Sequence, residues 1–153
     1  MYYLDECGIN HGMYSPWARA PRGEVVYADI RGSRRGRTSV ISASNGSDLV
    51  RPFTFEGHCN RDVVMTYFGQ ALLPFIPAGS VIVLDNASFH HSPELLAIVE
   101  SFRCSLMFLP AYSPDLNPIE HVWATLKRGL LDGIEEAEDK IAFIDKACAS
   151  LCS

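Results

Sequence analysis

No stretch of this sequence approaches the roughly 20 uncharged apolar residues that a membrane span requires. Its opening residues, MYYLDECGIN, place two acids within six positions, which excludes a secretory signal. A cytoplasmic location is the resulting expectation. An ordered cysteine set is missing too: Cys7, Cys59, Cys104, Cys148 and Cys152 are odd in number and scattered. Only Cys148 and Cys152 lie close, in a C-x3-C spacing, and no second Cys/His pair of zinc-finger spacing accompanies them. The thiols therefore read as reduced core or surface groups. Repeats, linkers and low-complexity tracts are absent as well. With 48% hydrophobic and 20% charged residues, the 153-residue chain has the composition of one soluble domain able to bury a substantial core.

Positive charge is in short supply. Thirteen Lys and Arg face 18 Asp and Glu, and the net charge of −5 has the wrong sign for gripping nucleic acid by bulk electrostatics. Its distribution softens that conclusion. RGSRRGR gathers Arg31, Arg34, Arg35 and Arg37 among small residues, while acids concentrate near the C-terminal end in DGIEEAEDK. The arginine run reads equally as a solvated hairpin loop or a phosphate-contacting one.

Patterning separates the chain into a strand-rich first part and an alternating second part. Tyr2 to Ile9 reads as a short strand, EVVYADI as a second, and RTSVISAS (Arg37 to Ser44) as a third that turns at Asn45-Gly46. Another strand follows around Pro52 to Phe55. Apolar groups at Val63, Val64, Tyr67, Phe68, Ala71 and Leu72 then predict a helix over Asn60 to Phe75. SVIVLDNAS is too short and too continuously apolar for anything but a buried, parallel-type strand. Ser92-Pro93 starts a helix through Phe102, and CSLMFLP is the next buried strand. Asn117-Pro118 caps a helix to about Leu131, and Glu135 to Leu151 forms the last one. The order predicts an α/β fold with one mixed sheet, its antiparallel meander continued by parallel strands and its faces covered by helices.

Three acids stand out. Asp85 ends the otherwise apolar VIVL strand, at the carboxyl edge where open α/β sheets bind ligands. A carboxylate there needs hydrogen-bond donors or a cation, and the following Asn86-Ala87-Ser88 turn offers backbone N–H groups as one answer. Asp5 repeats the arrangement after YYL, with an exposed turn acid as its alternative. Were the two strands adjacent, their carboxylates would repel unless a divalent cation lay between them. All-oxygen donors suit Mg2+ or Mn2+. Adjacent Glu6 would point to the opposite face of the strand. Glu120 sits at the third position after Asn117, where it serves either as a capping-box carboxylate or as a third acid of the same site. Asp115 is a nearby competitor whose expected part is to order the turn before the helix.

The blocks VIVLDNASFHHSPELL and LMFLPAYSPDLNPIEHVWATLK, together with LDECGI at the start, resemble the DDE endonuclease domain of Tc/mariner-superfamily transposases, in particular the bacterial insertion-sequence branch. WARAPRG and PFTFEGHCN extend the similarity over essentially the whole chain, and 34 residues separate Asp85 from Glu120, similar to the family's spacing. The resemblance implies an RNase H-like mixed five-stranded sheet flanked by helices over residues 1–153. It implies Asp5, Asp85 and Glu120 as catalytic, metal-binding acids, two Mg2+ (or Mn2+) ions, and DNA cleavage and strand transfer in cut-and-paste transposition. The expected partners are transposon ends and target DNA, with a homodimer in the full synaptic complex and a nucleoid-associated bacterial setting. Candidate DNA contacts are Arg31, Arg34, Arg35, Arg37, His90, His121 and Lys127. Relatives carry N-terminal helix-turn-helix domains, whereas this chain begins four residues before Asp5. A catalytic domain alone is the expectation, as a truncated chain, a degraded gene or a second reading frame. Another RNase H-like nuclease, or a silent remnant that inhibits an intact transposase, is the alternative.

Overall fold

The computed structural model describes residues 1–13, 21–22, 36–111, 113–131 and 133–152. The expected strand EVVYADI and the arginines Arg31, Arg34 and Arg35 lie outside the described residues.

Strands β1 (Tyr2–Asn10), β2 (Arg37–Ser44), β3 (Leu49–Glu56), β4 (Val81–Leu84) and β5 (Ser105–Phe108) form one sheet in the order β3-β2-β1-β4-β5. β1, β2 and β3 pair antiparallel, while β1, β4 and β5 run parallel. This is the mixed sheet expected from the element order. Between β2 and β3 the chain turns through residues 45–48, with Gly46 at φ 131° where a side chain would be strained.

β1 is the central strand, and its alternation divides the core. Leu4 joins Ile41, Ala43, Ile82, Leu84 and the helical residues Val64, Phe68, Leu95 and Val99 on one face. Cys7 and Ile9 join Val40 and the residues Ile119, Val122, Trp123, Leu126, Ile144 and Cys148 on the other. Helices α1 (Arg61–Thr66) and α2 (Pro93–Ser101) therefore cover the first face, and α3 (Ile119–Leu130) and α4 (Lys140–Ala149) the second. Full burial of a residue such as Trp123, 2% exposed, contributes several kcal/mol at about 25 cal/mol per Å2.

Three elements differ from expectation. The segment beginning at Asn60 is not one α-helix: after α1 it widens into a π turn (Tyr67–Leu72) and tightens into a 3-10 turn (Leu73–Phe75). The wider turn accompanies a bulge between Ile41 and Ala43, where the Tyr67 hydroxyl accepts from Ala43 N–H at 2.7 Å and donates to the Val50 carbonyl at 3.0 Å. Pro74, which lacks an N–H, falls in the closing turn. The last helix is shorter than its sequence window, starting only after Asp139, whose carboxylate accepts from Ala142 N–H at 2.9 Å. Finally, β1 runs over Tyr2–Asn10, as the strand read from Tyr2 to Ile9 predicts, so that Asp5 lies inside it and not at a strand end followed by a turn.

Candidate active site

That last difference creates the site. β1 and β4 pair only at Tyr2–Ile82 and Tyr3–Val83, whereas β1 and β2 pair all the way from Tyr3 to Asn10. Continued by two residues, the same register sets Asp5 beside Asp85, just past the end of β4. The sheet forks there. Asp5, Asp85, Asn86, Pro110, Asn117 and Glu120 line one cleft of about 410 Å3 at this fork. Thus the three acids singled out in the sequence border a single cavity, contributed by β1, the β4 exit and the first turn of α3.

Asp5 is turned toward α3, where Trp123 Nε1–H donates to its Oδ2 at 3.1 Å. Burial pushes its carboxyl up to about 7; the Glu6 backbone N–H opposes this, the Glu120 charge adds to it, and Trp123 and Asp85 contribute smaller effects of opposite sign. Asp85 is exposed and behaves oppositely. The His90 ring N–H, 2.8 Å from Oδ1, holds its carboxyl below the usual carboxylate range against partial burial, helped by Ala87 N–H at 3.2 Å. The turn reading of Asp85 is thus correct in part, since Ala87 does cap it, but the stronger partner is a side chain.

The capping-box alternative for Glu120 does not hold. Pro118 occupies the cap position and no side chain closes the helix end; Asn117 offers only its carbonyl, to Glu120 N–H at 3.1 Å. The Asn117 Oδ1 is buried without a partner, and among the described residues nothing bonds the exposed Glu120 carboxylate. It is therefore free to turn into the cleft. Glu6 falls on the other side of β1, as expected. Burial raises its carboxyl, with the Arg37 guanidinium 3.9 Å away as the main opposing influence.

The candidate DNA contacts fare unevenly. Arg37 lies across β1, close enough to Gly8 that any β-carbon there would clash with its guanidinium, and it is engaged with Glu6 and Ser39. His90 is 6% exposed and faces Asp85 rather than solvent, so a direct DNA contact from its ring does not fit. His121 and Lys127 are exposed on α3, and Lys127 interacts with the Cys7 thiol. None of the four lines the cleft. Two partners of the acids went unread in the sequence. Nothing local in the sequence marks Trp123 for this role, because its bond to Asp5 spans 118 positions. The spacing of His90, five residues after Asp85 within one tight turn, was the only available hint of its pairing.

Among the described residues, no three His, Cys, Asp or Glu side chains converge into a ready-made metal cluster. The donor chemistry nonetheless fits a hard divalent cation. The cleft offers carboxylate oxygens, and a buried carboxyl is held up to about 7 partly by its acidic neighbours, a repulsion that a cation would relieve.

Residues 1–144 match the family model described as DDE superfamily endonuclease. A 50-residue stretch is 42% identical to the uncharacterised protein y4pE/y4sA of Sinorhizobium fredii (strain NBRC 101917 / NGR234), covering 33% of this chain and 35% of that protein. A 69-residue stretch is 38% identical to the transposable element Tcb1 transposase of Caenorhabditis briggsae, covering 44% of this chain and 25% of that one. The matches thus span only about a quarter to a third of these relatives. Among solved structures, the Mos1 strand transfer complex superposes with a TM-score of 0.67 at 18% identity, over 99% of this chain and 55% of that one. The catalytic core domain of BIV integrase superposes at 0.61 and 12% identity, over 98% and 81%. These likenesses establish the RNase H-like fold.

Proposed function

This chain belongs to the DDE superfamily endonucleases, and from that premise we propose that it is the catalytic domain of a DNA transposase, performing metal-dependent cleavage and strand transfer at transposon ends. The observation that carries the reading is the shared cleft of Asp5, Asp85 and Glu120 at the fork between β1 and β4. Similarity to the Tcb1 transposase and to the Mos1 complexes supports the choice of transposition over other nuclease chemistries.

Asp5, Asp85 and Glu120 are the residues that would hold divalent cations, two of them in the fullest form of the reading. Mos1 paired-end complexes with Mg and with Mn favour either ion. A cation bound there supplies Lewis-acid activation of the scissile phosphate and of the attacking hydroxyl. The chain's own residues supply the rest. Asp5 is held in place on the central strand, Asp85 beside it, and Glu120 stands at the cleft mouth with rotamer freedom to complete the set. DNA is the proposed partner, and a homodimer the proposed assembly of the complete transposase.

Nicking of a supercoiled plasmid in Mn2+ or Mg2+ is the direct assay. Asp85→Ala is expected to reduce cleavage by about 100–1,000-fold, in keeping with loss of an electrostatic stabiliser of the transition state, while far-UV circular dichroism stays unchanged. Undiminished cleavage by this variant would remove Asp85 from the site. Joining of a 3′-OH end to target DNA distinguishes a transposase from a nuclease that only cuts.

A further inference from the structure

Asp5 on β1 and Asp85 just past β4 are each met by one buried ring N–H, and the two rings approach from different elements. Trp123, 2% exposed, reaches Asp5 Oδ2 from α3 at 3.1 Å. His90, 6% exposed, reaches Asp85 Oδ1 at 2.8 Å from the 3-10 turn Ser88–His90. The same His90 nitrogen lies 3.3 Å from the Asp85 carbonyl oxygen, and Ala87 N–H adds a second donor to Oδ1 at 3.2 Å. Asp85 Oδ1 is therefore committed twice over, while no described residue bonds Oδ2.

We propose that His90 and Trp123 are positioning residues of the metal site: each ties one oxygen of its aspartate and thereby fixes how the carboxylate is presented to the cleft. The inference rests on the assignment of Asp5 and Asp85 as cation ligands. Asp85 has left the sheet and its side chain is exposed, so without a partner its carboxylate would sample several rotamers. A cation meets a ligand in the productive orientation only for the fraction of time it is populated, and affinity falls by that fraction. Partners of this kind, which touch ligand but not metal, typically change metal affinity about 10–100-fold. Neither ring lines the cleft shared by the three acids, and His90 instead borders a neighbouring cavity with Asp5 and Asp85. Glu120 has no such partner among the described residues. The site thus consists of two fixed acids and one that turns.

The test is Mn2+ binding to the full chain at pH 8, read by the electron paramagnetic resonance of free Mn2+, with urea unfolding of each variant alongside. His90→Leu is expected to weaken binding by about 10–100-fold. His90→Asn, whose amide N–H takes the place of the Nδ1–H, is expected to restore most of it. Trp123→Phe, which keeps the ring and removes the donor, should weaken binding similarly. Asp85→Asn is the control for the ligand assignment. If Asp85→Asn loses Mn2+ but His90→Leu and Trp123→Phe bind like wild type, the positioning inference is wrong and the site assignment stands. If Asp85→Asn binds like wild type, the site assignment itself fails. Equal loss of affinity in His90→Leu and His90→Asn, in step with equal loss of stability, makes His90 a packing residue and overturns its role. Should Trp123→Phe not fold, the His90 pair decides.

Discussion

Replacing Asp5 with Asn should make the metal-free protein more stable, and increasingly so as pH rises. Asp5 has its carboxyl raised from 3.8 to about 7 in the fold, chiefly by burial. The folded state therefore binds the proton more tightly than the unfolded chain does. The sign follows from linkage: the protonated form is fully accommodated below the unfolded value, and stability is lost as pH climbs from about 4 through about 7. A shift of roughly three units corresponds to about 4 kcal/mol once the carboxyl is fully ionised in both states. Asparagine mimics the protonated acid in size and can still accept from Trp123, so the variant escapes this cost. In EDTA, urea unfolding should show the variant ahead by about 1–2 kcal/mol at pH 5 and by about 3–4 kcal/mol at pH 8. Other titrating groups, such as Glu6, are common to both proteins and largely cancel in the difference. A difference that stays constant between pH 5 and pH 8, or that shrinks, would refute the claim that Asp5 is buried against its charge.

Two further outcomes test the framework around the site. Tyr67→Phe removes the hydroxyl that bridges Ala43 N–H and the Val50 carbonyl at the β2 bulge, leaving a buried donor unpaired; urea denaturation should register a loss of about 1–3 kcal/mol. Arg103 follows α2 in the left-handed region, at φ 56°, where the helix end favours glycine; Arg103→Gly should raise stability by about 0.5–1 kcal/mol in the same assay.

Much of the fold was legible because its signals are local. The boundaries of β2 coincide with RTSVISAS, and Ser92-Pro93 starts α2 as read, with the serine hydroxyl accepting from Leu95 N–H. Failures occurred where distant parts of the chain override local pattern. The periodicity of Val63, Val64, Tyr67 and Phe68 cannot reveal that the helix changes winding beside a bulge in another strand. Nor can EEAED reveal that the last helix waits for Asp139, since all five residues are compatible with a helix interior. At the site, the residue types and spacing of Asp5, Asp85 and Glu120 led to one cleft, yet the reason Asp5 stands at its edge was hidden. It depends on β4 ending early while β1 runs on, which is a property of pairing between strands. The roles of Trp123 and His90 were equally invisible, since a ring N–H acquires its meaning only from the acceptor it meets.

The hydrogen bond from Trp123 to Asp5 joins positions 118 residues apart, with the β4 exit between them in the chain. Consequently the cleft has no wall on the α3 side until Ile119–Leu130 has been synthesised and that helix has docked. A chain still emerging from the ribosome can complete the β1–β2–β3 meander early, and with it fix Asp5, without possessing Glu120 at all. A chain interrupted before α3 therefore carries Asp5 and Asp85 without the third acid of the proposed site.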